Sequence, residues 1–290
     1  MLMVDDWKDY ELIDAGGGEK LERWGGFKLR RPDPQAIWPT SLGPEAWLDV
    51  DAFYHRSASG GGYWEYFSEM PEKWIVHYRS LSFYIQLTSF KHTGLFPEQA
   101  SNWSWMIENI GKQHRPDPVK VLNLFAYTGA ATVACLYAGA EVCHVDASKG
   151  MVTRAKENAV LSGLASKPSR YIVDDTLKFV QREARRGNKY DAVIMDPPSY
   201  GRGPDGEIWK IEDHIFTLVE NCLEILSDIP AFFLINSYST GLSPTVLQNL
   251  LHMTVSAKYG GRVTCDELGT GFSNLGLILP CGTFARWQPV

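Results

Sequence analysis

The stretch Val119-Lys120-Val121-Leu122-Asn123-Leu124-Phe125-Ala126-Tyr127-Thr128-Gly129-Ala130 decides the fold. Its first seven residues form a short, mostly apolar string that passes a single glycine into a helix candidate at 130–138. The string is too short for a helix and is bounded by turn chemistry, so it reads as a buried strand. The same alternation recurs downstream, with strings at 141–146, 170–173, 190–196, 231–236 and 276–280. Helix candidates lie between them at 149–162, 177–186, 212–226 and 244–257. Ser148 and Ser243 stand as N-caps, and Pro244 takes the first helical position. Strand, helix, strand at this spacing predicts right-handed crossovers, and hence an α/β, doubly wound, mostly parallel sheet.

Outward from this core the texture changes. Residues 10–87 are short aromatic runs such as Trp74-Ile75-Val76-His77-Tyr78, punctuated by Gly16-Gly17-Gly18, Gly25-Gly26 and Gly60-Gly61-Gly62. No 3.6-residue period is sustained there, so the region reads as small, antiparallel and β-rich, with its tryptophans as core. Two parts are expected, an N-terminal β-rich region at 1–90 and the sheet domain at 91–290. The chain has 290 residues, 44% of them hydrophobic and 12% aromatic, with 28 Lys+Arg against 34 Asp+Glu and a net charge of -6. That composition excludes a predominantly disordered chain, and no apolar stretch reaches bilayer length. The start carries Asp5, Asp6 and Asp9 where a secretory signal needs a basic and then apolar run, so the expectation is a cytoplasmic protein away from membranes. Cys135, Cys143, Cys222, Cys265 and Cys281 are odd in number and widely spaced, which fits buried thiols rather than disulfides or a metal clip. His55, His77, His114 and His252 lack metal-ligand spacing, and no metal is expected.

In an open parallel sheet, ligands sit beyond the carboxyl ends of the strands. The turn 125–130 lacks the G-x-G-x-x-G that presses a pyrophosphate against bare backbone, which lowers dinucleotides and leaves room for a nucleoside cofactor such as S-adenosylmethionine. The second string ends in Asp146-Ala147-Ser148, where a carboxylate can accept from two ribose hydroxyls or else start the following helix. The third ends in Asp174-Asp175-Thr176, able to accept from an adenine amine, with helix capping as the rival explanation. The fourth runs into Asp196-Pro197-Pro198-Ser199-Tyr200, a carboxylate stiffened by two prolines and suited to holding a substrate amine. The glycines of 201–206 suggest a mobile flap, with Asp205, Glu207 and Asp213 as solvated charges.

Leu122 to Ala130, Asp146-Ala147-Ser148, Asn158, Asp175 and Asp196 to Tyr200 resemble, in order, the motifs of class I S-adenosylmethionine-dependent methyltransferases, most of all the bacterial large-subunit ribosomal RNA group. Upstream, residues 92–99 resemble that group's Thr-Gly-x-Phe-x-x-x-Arg lead-in, with Gln99 and Asn102 where the group carries Asp, Gln or Arg. The resemblance implies a seven-stranded methyltransferase sheet that binds S-adenosylmethionine. It assigns Thr93, Phe96, Phe125, Ala126, Tyr127, Thr128, Gly129, Asp146, Ala147, Ser148, Asn158, Asp175, Thr176 and Asp196 to the cofactor. Asp196, Pro197, Pro198 and Tyr200 fall to the acceptor, and an RNA substrate, ribosomal RNA first, is the implied partner.

Two departures refine this. The first 90 residues do not resemble the RNA-binding module of many relatives, and within residues 1–117 acids outnumber bases 17 to 12, so Lys28, Arg30, Arg31 and Arg56 make no basic clamp. Relatives that methylate C5 of cytosine carry a nucleophilic cysteine after the fifth strand, where this chain reads Asn236-Ser237-Tyr238-Ser239-Thr240. Methylation of a base nitrogen is therefore the leading expectation, with Asp196 as orienter or base. The alternatives are a small-molecule or protein methyltransferase and a non-catalytic RNA-binding assembly factor.

Overall fold

A computed structural model of the chain describes residues 1–290 except 5, 58–60, 203–205, 207, 240, 274 and 275. The chain divides into two compact units, Met1–Ser101 with Leu268–Cys281, and Asn102–Glu267 with Gly282–Val290. Against the boundary expected at residue 90, the first unit continues to Ser101 and takes in a C-terminal segment that no sequence signal marks.

In the first unit, β1 (Leu2–Met3) runs parallel to Leu268 and Gly269. A five-stranded sheet follows in the order β2 (Tyr10–Gly16), β3 (Glu19–Trp24), β4 (Phe27–Pro32), β5 (Ala52–Arg56) and β6 (Gly62–Tyr66). Its pairing is antiparallel at every joint but one. β4 and β5 run parallel, Leu29 opposite Ala52, because a long connection carrying helix α1 (Pro44–Leu48) joins them in place of a tight turn. A hairpin of β7 (Trp74–Tyr78) and β8 (Leu81–Ile85) stands apart. Trp7, Trp24, Trp47 and Trp74 are all buried, so these indoles are core. Lys28, Arg30 and Arg31 are ion-paired locally: Lys28 with Asp49, Arg30 with Glu19 and buried Arg31 with buried Glu22.

In the second unit, helix α2 (Ala100–Gly111, its first two residues counted with the first unit) precedes a regular alternation. It comprises β9 (Lys120–Leu124), α3 (Ala130–Tyr137), β10 (Glu141–Asp146), α4 (Lys149–Leu161), β11 (Ser169–Val173), α5 (Thr176–Arg185) and β12 (Ala192–Met195). A small hairpin of β13 (Tyr200–Arg202) and β14 (Ile208–Lys210) then leads to α6 (Ile211–Ile225), β15 (Phe232–Ser237) and α7 (Pro244–Leu251), which a π-helical turn extends over His252–Ser256. β16 (Arg262–Gly271) and β17 (Ile278–Gln288) close the sheet. Its order is β1-β16-β17-β15-β12-β9-β10-β11: the seven expected strands, with two-residue β1 as an eighth at the edge. Strands β9, β10, β11, β12 and β15 are parallel, and β17 returns antiparallel to β15.

Side chains alternate between the two faces of a strand, and here the faces have different duties. Leu122, Leu124, Val145, Val193, Met195, Phe233, Ile235 and Trp287 turn one way into a core with Phe179 of α5, Leu218 of α6 and Leu247 of α7. Each such side chain contributes about 1.5–3 kcal/mol on burial, so this face carries the stability. The opposite face presents Asn123, His144, Asn236 and Arg286, which meet polar groups of α2 and α3. Among the described residues no helix is long and apolar enough to cross a membrane, and no cluster of His, Cys, Asp and Glu is arranged to hold a metal.

Candidate cofactor and acceptor site

The parallel strands end level with one another. Leu124 stands between Val145 of β10 and Met195 of β12, and Met195 faces Ile235 of β15. The next residues, Asp146, Phe125, Asp196 and Asn236, therefore form a row along the carboxyl edge. With strands about 4.8 Å apart, the two carboxylates flank β9 at roughly 10 Å from each other.

Between them the chain turns sharply. Phe125, Tyr127 and Gly129 take φ of 52°, 48° and 81°. A side chain in this left-handed region costs about 1–2 kcal/mol, so the loop is strained at two residues and must be held. Bonds that hold it include Ala126 N–H to Val145 O (3.1 Å), Gly129 N–H to Ala126 O (3.0 Å), Tyr127 N–H to Asp146 Oδ2 (2.8 Å), and buried Asn158 Nδ2 to Thr128 O (2.8 Å). Asn158 is thus the brace of the loop. Gly129 is required on two grounds, its positive φ and the 2.7 Å that would separate a Cβ there from Ala155 Cβ.

Half-buried Asp146 accepts Tyr127 N–H on Oδ2 and Ser148 N–H on Oδ1, each at 2.8 Å. Each oxygen keeps a free lone pair, which is what two vicinal hydroxyls need. Burial pushes its carboxyl above the usual range, against the two N–H donors that lower it. The helix start belongs to Ser148, which accepts from Met151 N–H, while Ala147 sits half-buried between them. At the next strand tip the capping explanation holds for one oxygen: Asp175 Oδ1 accepts Lys178 N–H at 2.9 Å, Thr176 is buried in the first turn of α5, and Asp174 pairs with Arg182. Thr93 and Phe96 lie in the first unit, where buried Thr93 donates to Leu95 O (3.4 Å) and Phe96 packs on His92.

On the acceptor side, Pro197 is buried and Pro198, Ser199 and Tyr200 are exposed. Trp209, which nothing in the sequence singled out beyond its place after the glycine-rich run, donates to Pro198 O at 2.7 Å and stands 4.8 Å from the Phe125 ring. It ties the tip of β12 to the loop that follows β9. Ser239 Oγ donates to Ser199 Oγ at 2.7 Å, joining the turn after β15 to the same segment. Around the glycine-rich run, β13 and β14 pair as an antiparallel hairpin; Gly203, Pro204, Asp205 and Glu207 lie outside the described residues, as does Thr240 of the neighbouring turn. Tyr238 stands half-buried in that turn. Burial disfavours the thiolate at each cysteine: it pushes Cys143 up to about 11 and also raises Cys135, Cys222, Cys265 and Cys281.

The family model of S-adenosylmethionine-dependent methyltransferases matches residues 36–220. A crystal structure of an S-adenosylmethionine-dependent methyltransferase from Agrobacterium tumefaciens is 38% identical, with a TM-score of 0.95 over 100% of this chain and 93% of its own. A methyltransferase solved with S-adenosylhomocysteine shares the fold at 19% identity and a TM-score of 0.73, over 96% of this chain and 75% of its own. Among curated proteins, ribosomal RNA large subunit methyltransferase K/L of Shewanella frigidimarina is 27% identical over 231 residues, 77% of this chain and 30% of that protein. Ribosomal RNA large subunit methyltransferase K of Neisseria meningitidis serogroup B is 24% identical over 189 residues, 64% of this chain and 51% of that protein. The chain thus spans about 30% of the length of the first of these curated relatives and about half of the second.

Proposed function

Because the chain belongs to the S-adenosylmethionine-dependent methyltransferase family, we propose that it uses that cofactor to methylate a nitrogen of an RNA base, ribosomal RNA being the first candidate. The observation that carries this is the row of strand tips: a half-buried carboxylate at Asp146 that accepts one N–H on each oxygen, a carboxylate at Asp196 followed by two prolines, and no thiol in the turn beside it. The names of the curated relatives favour ribosomal RNA, and with it a cytoplasmic site of action.

Asp146 fits the ribose by its two free lone pairs, the strained loop 125–129 supplies backbone to the methionine end, and Asp175 with Thr176 borders the adenine end. When bound, S-adenosylmethionine supplies a sulfonium methyl open to attack by a lone pair. The residues of the chain do the rest. Asp196 accepts an N–H of the acceptor, turns the nitrogen lone pair toward the methyl and receives the proton released on transfer. Pro197 and Pro198 keep that carboxylate from swinging away, and the exposed Tyr200 offers a ring for a base to stack on.

Transfer of tritiated methyl into ribosomal RNA from cells lacking the gene tests the proposal. Label should enter the RNA with the wild-type protein and fall at least a hundredfold with Asp196→Ala, while S-adenosylhomocysteine binds both alike. A small-molecule or protein acceptor is the second reading, favoured by the acidic balance of residues 1–117 and by the ion pairs that occupy Lys28, Arg30 and Arg31. Label found only outside RNA would select it.

A further inference from the structure

Across the polar face of the sheet a connected set of side chains runs from Arg286 to Asn236. Arg286 on β17 is 7% exposed, and its guanidinium lies 4.8 Å from the Trp105 ring and 4.4 Å from that of Phe284. Its Nε and Nη2 both donate to Asn102 Oδ1, at 2.9 and 2.5 Å. Burial pulls its pKa down to about 10, which still leaves it charged at neutral pH. Among the described residues this buried cation meets an amide oxygen rather than a carboxylate.

That choice has a directional consequence. An arginine only donates, so Asn102 must give it oxygen and turn its own NH2 the other way. The NH2 of Asn102 donates to Asn236 Oδ1 at 2.8 Å. Asn236, 3% exposed, therefore has its oxygen engaged and its NH2 fixed as the free end. Among the described residues no acceptor takes that NH2. Asn236 stands beside Asp196 in the row of strand tips, one strand spacing of about 4.8 Å away.

We propose that Asn236 reads the acceptor base: its NH2 donates to a ring nitrogen or carbonyl oxygen next to the amine that Asp196 holds. This rests on the RNA-base proposal and narrows it. The substrate edge must pair an exocyclic amine with an adjacent acceptor atom, as adenine, cytosine and guanine do and uracil does not. Asn102 and Arg286 are positioning residues that fix which end of Asn236 faces the substrate.

Asn102→Asp separates this from a purely structural role. A carboxylate satisfies Arg286 at least as well as an amide, but it has no donor for Asn236, which must then rotate, give its NH2 to residue 102 and present oxygen to the base. The variant should melt at or above the wild-type temperature and bind S-adenosylhomocysteine unchanged. Its kcat/KM for tritiated-methyl transfer into ribosomal RNA from cells lacking the gene should drop at least about tenfold, the order of one lost hydrogen bond. If Asn102→Asp does not fold, Asn236→Ala is expected to show the same loss with cofactor affinity kept. Wild-type transfer rates in either folded variant would overturn the inference. No label in RNA with the wild-type protein would instead overturn the RNA-base proposal, and this inference with it.

Discussion

Replacing Gly129 by alanine adds one methyl group at the point where the loop after β9 becomes α3. The backbone there has φ of 81°, and an alanine pays about 1–2 kcal/mol to stay in that region. The new Cβ would lie 2.7 Å from Ala155 Cβ and 3.1 Å from Ala155 Cα, far inside van der Waals contact. The nearer backbone atom belongs to α4, so no flexible side chain can move aside, and overpacking of this kind costs about 1–3 kcal/mol more. Together the two effects amount to about 2–5 kcal/mol of folding stability. Part of the strain can be relieved by lifting the loop off α4, which would break the bond from Asn158 Nδ2 to Thr128 O and weaken cofactor binding. Urea denaturation followed by circular dichroism measures the first effect, as a shift in midpoint at constant slope, and calorimetry with S-adenosylhomocysteine the second. A Gly129→Ala protein within 0.5 kcal/mol of wild type and with unchanged affinity would refute the loop geometry and the role assigned to it.

Asp146→Ala should weaken S-adenosylhomocysteine by about 1.5–3 kcal/mol, the worth of a hydrogen bond to a charged group, and calorimetry that finds equal affinity would remove Asp146 from the ribose. Because burial raises the folded-state pKa of Asp146, two opposite pH dependences follow. Stability of the cofactor-free protein gains from this group as pH falls through that raised value, whereas cofactor affinity, under the proposed ribose contact to the carboxylate, is expected to be lost over the same window; titration of both quantities in the wild type and in Asp146→Asn checks the signs. Replacing all five cysteines with Ala or Ser should leave methyl transfer per folded molecule near wild type, and RNA containing 5-fluorocytosine should trap no covalent complex, as gel electrophoresis under denaturing conditions would show.

Much of the second unit is legible in its sequence because apolar strings there are separated by caps and turn residues. The bounds of β10 match its string residue for residue, and Ser148 caps α4 as its hydroxyl suggests. β16 carries no strand signature for a physical reason: Arg262, Thr264, Asp266 and Glu267 interrupt any apolar run. The parallel joint between β4 and β5 escaped because pairing depends on the connection, which local propensity does not encode. Asp146 and Asp196 were visible as acids at strand tips. The brace of Asn158, the clamp of Trp209 and the orientation of Asn236 were not, since each is a contact between residues distant in the chain. Asn102 and Arg286, 184 positions apart, meet only after the sheet has formed.

The most direct test of nitrogen methylation on a ribosomal RNA base is mass spectrometry of nucleosides from the ribosomal RNA of cells with and without the gene. One base-methylated nucleoside bearing its methyl on nitrogen should vanish in the cells without the gene, return with the wild-type copy and stay absent with Asp196→Ala. An unchanged nucleoside profile, or loss of 5-methylcytidine instead, would contradict it.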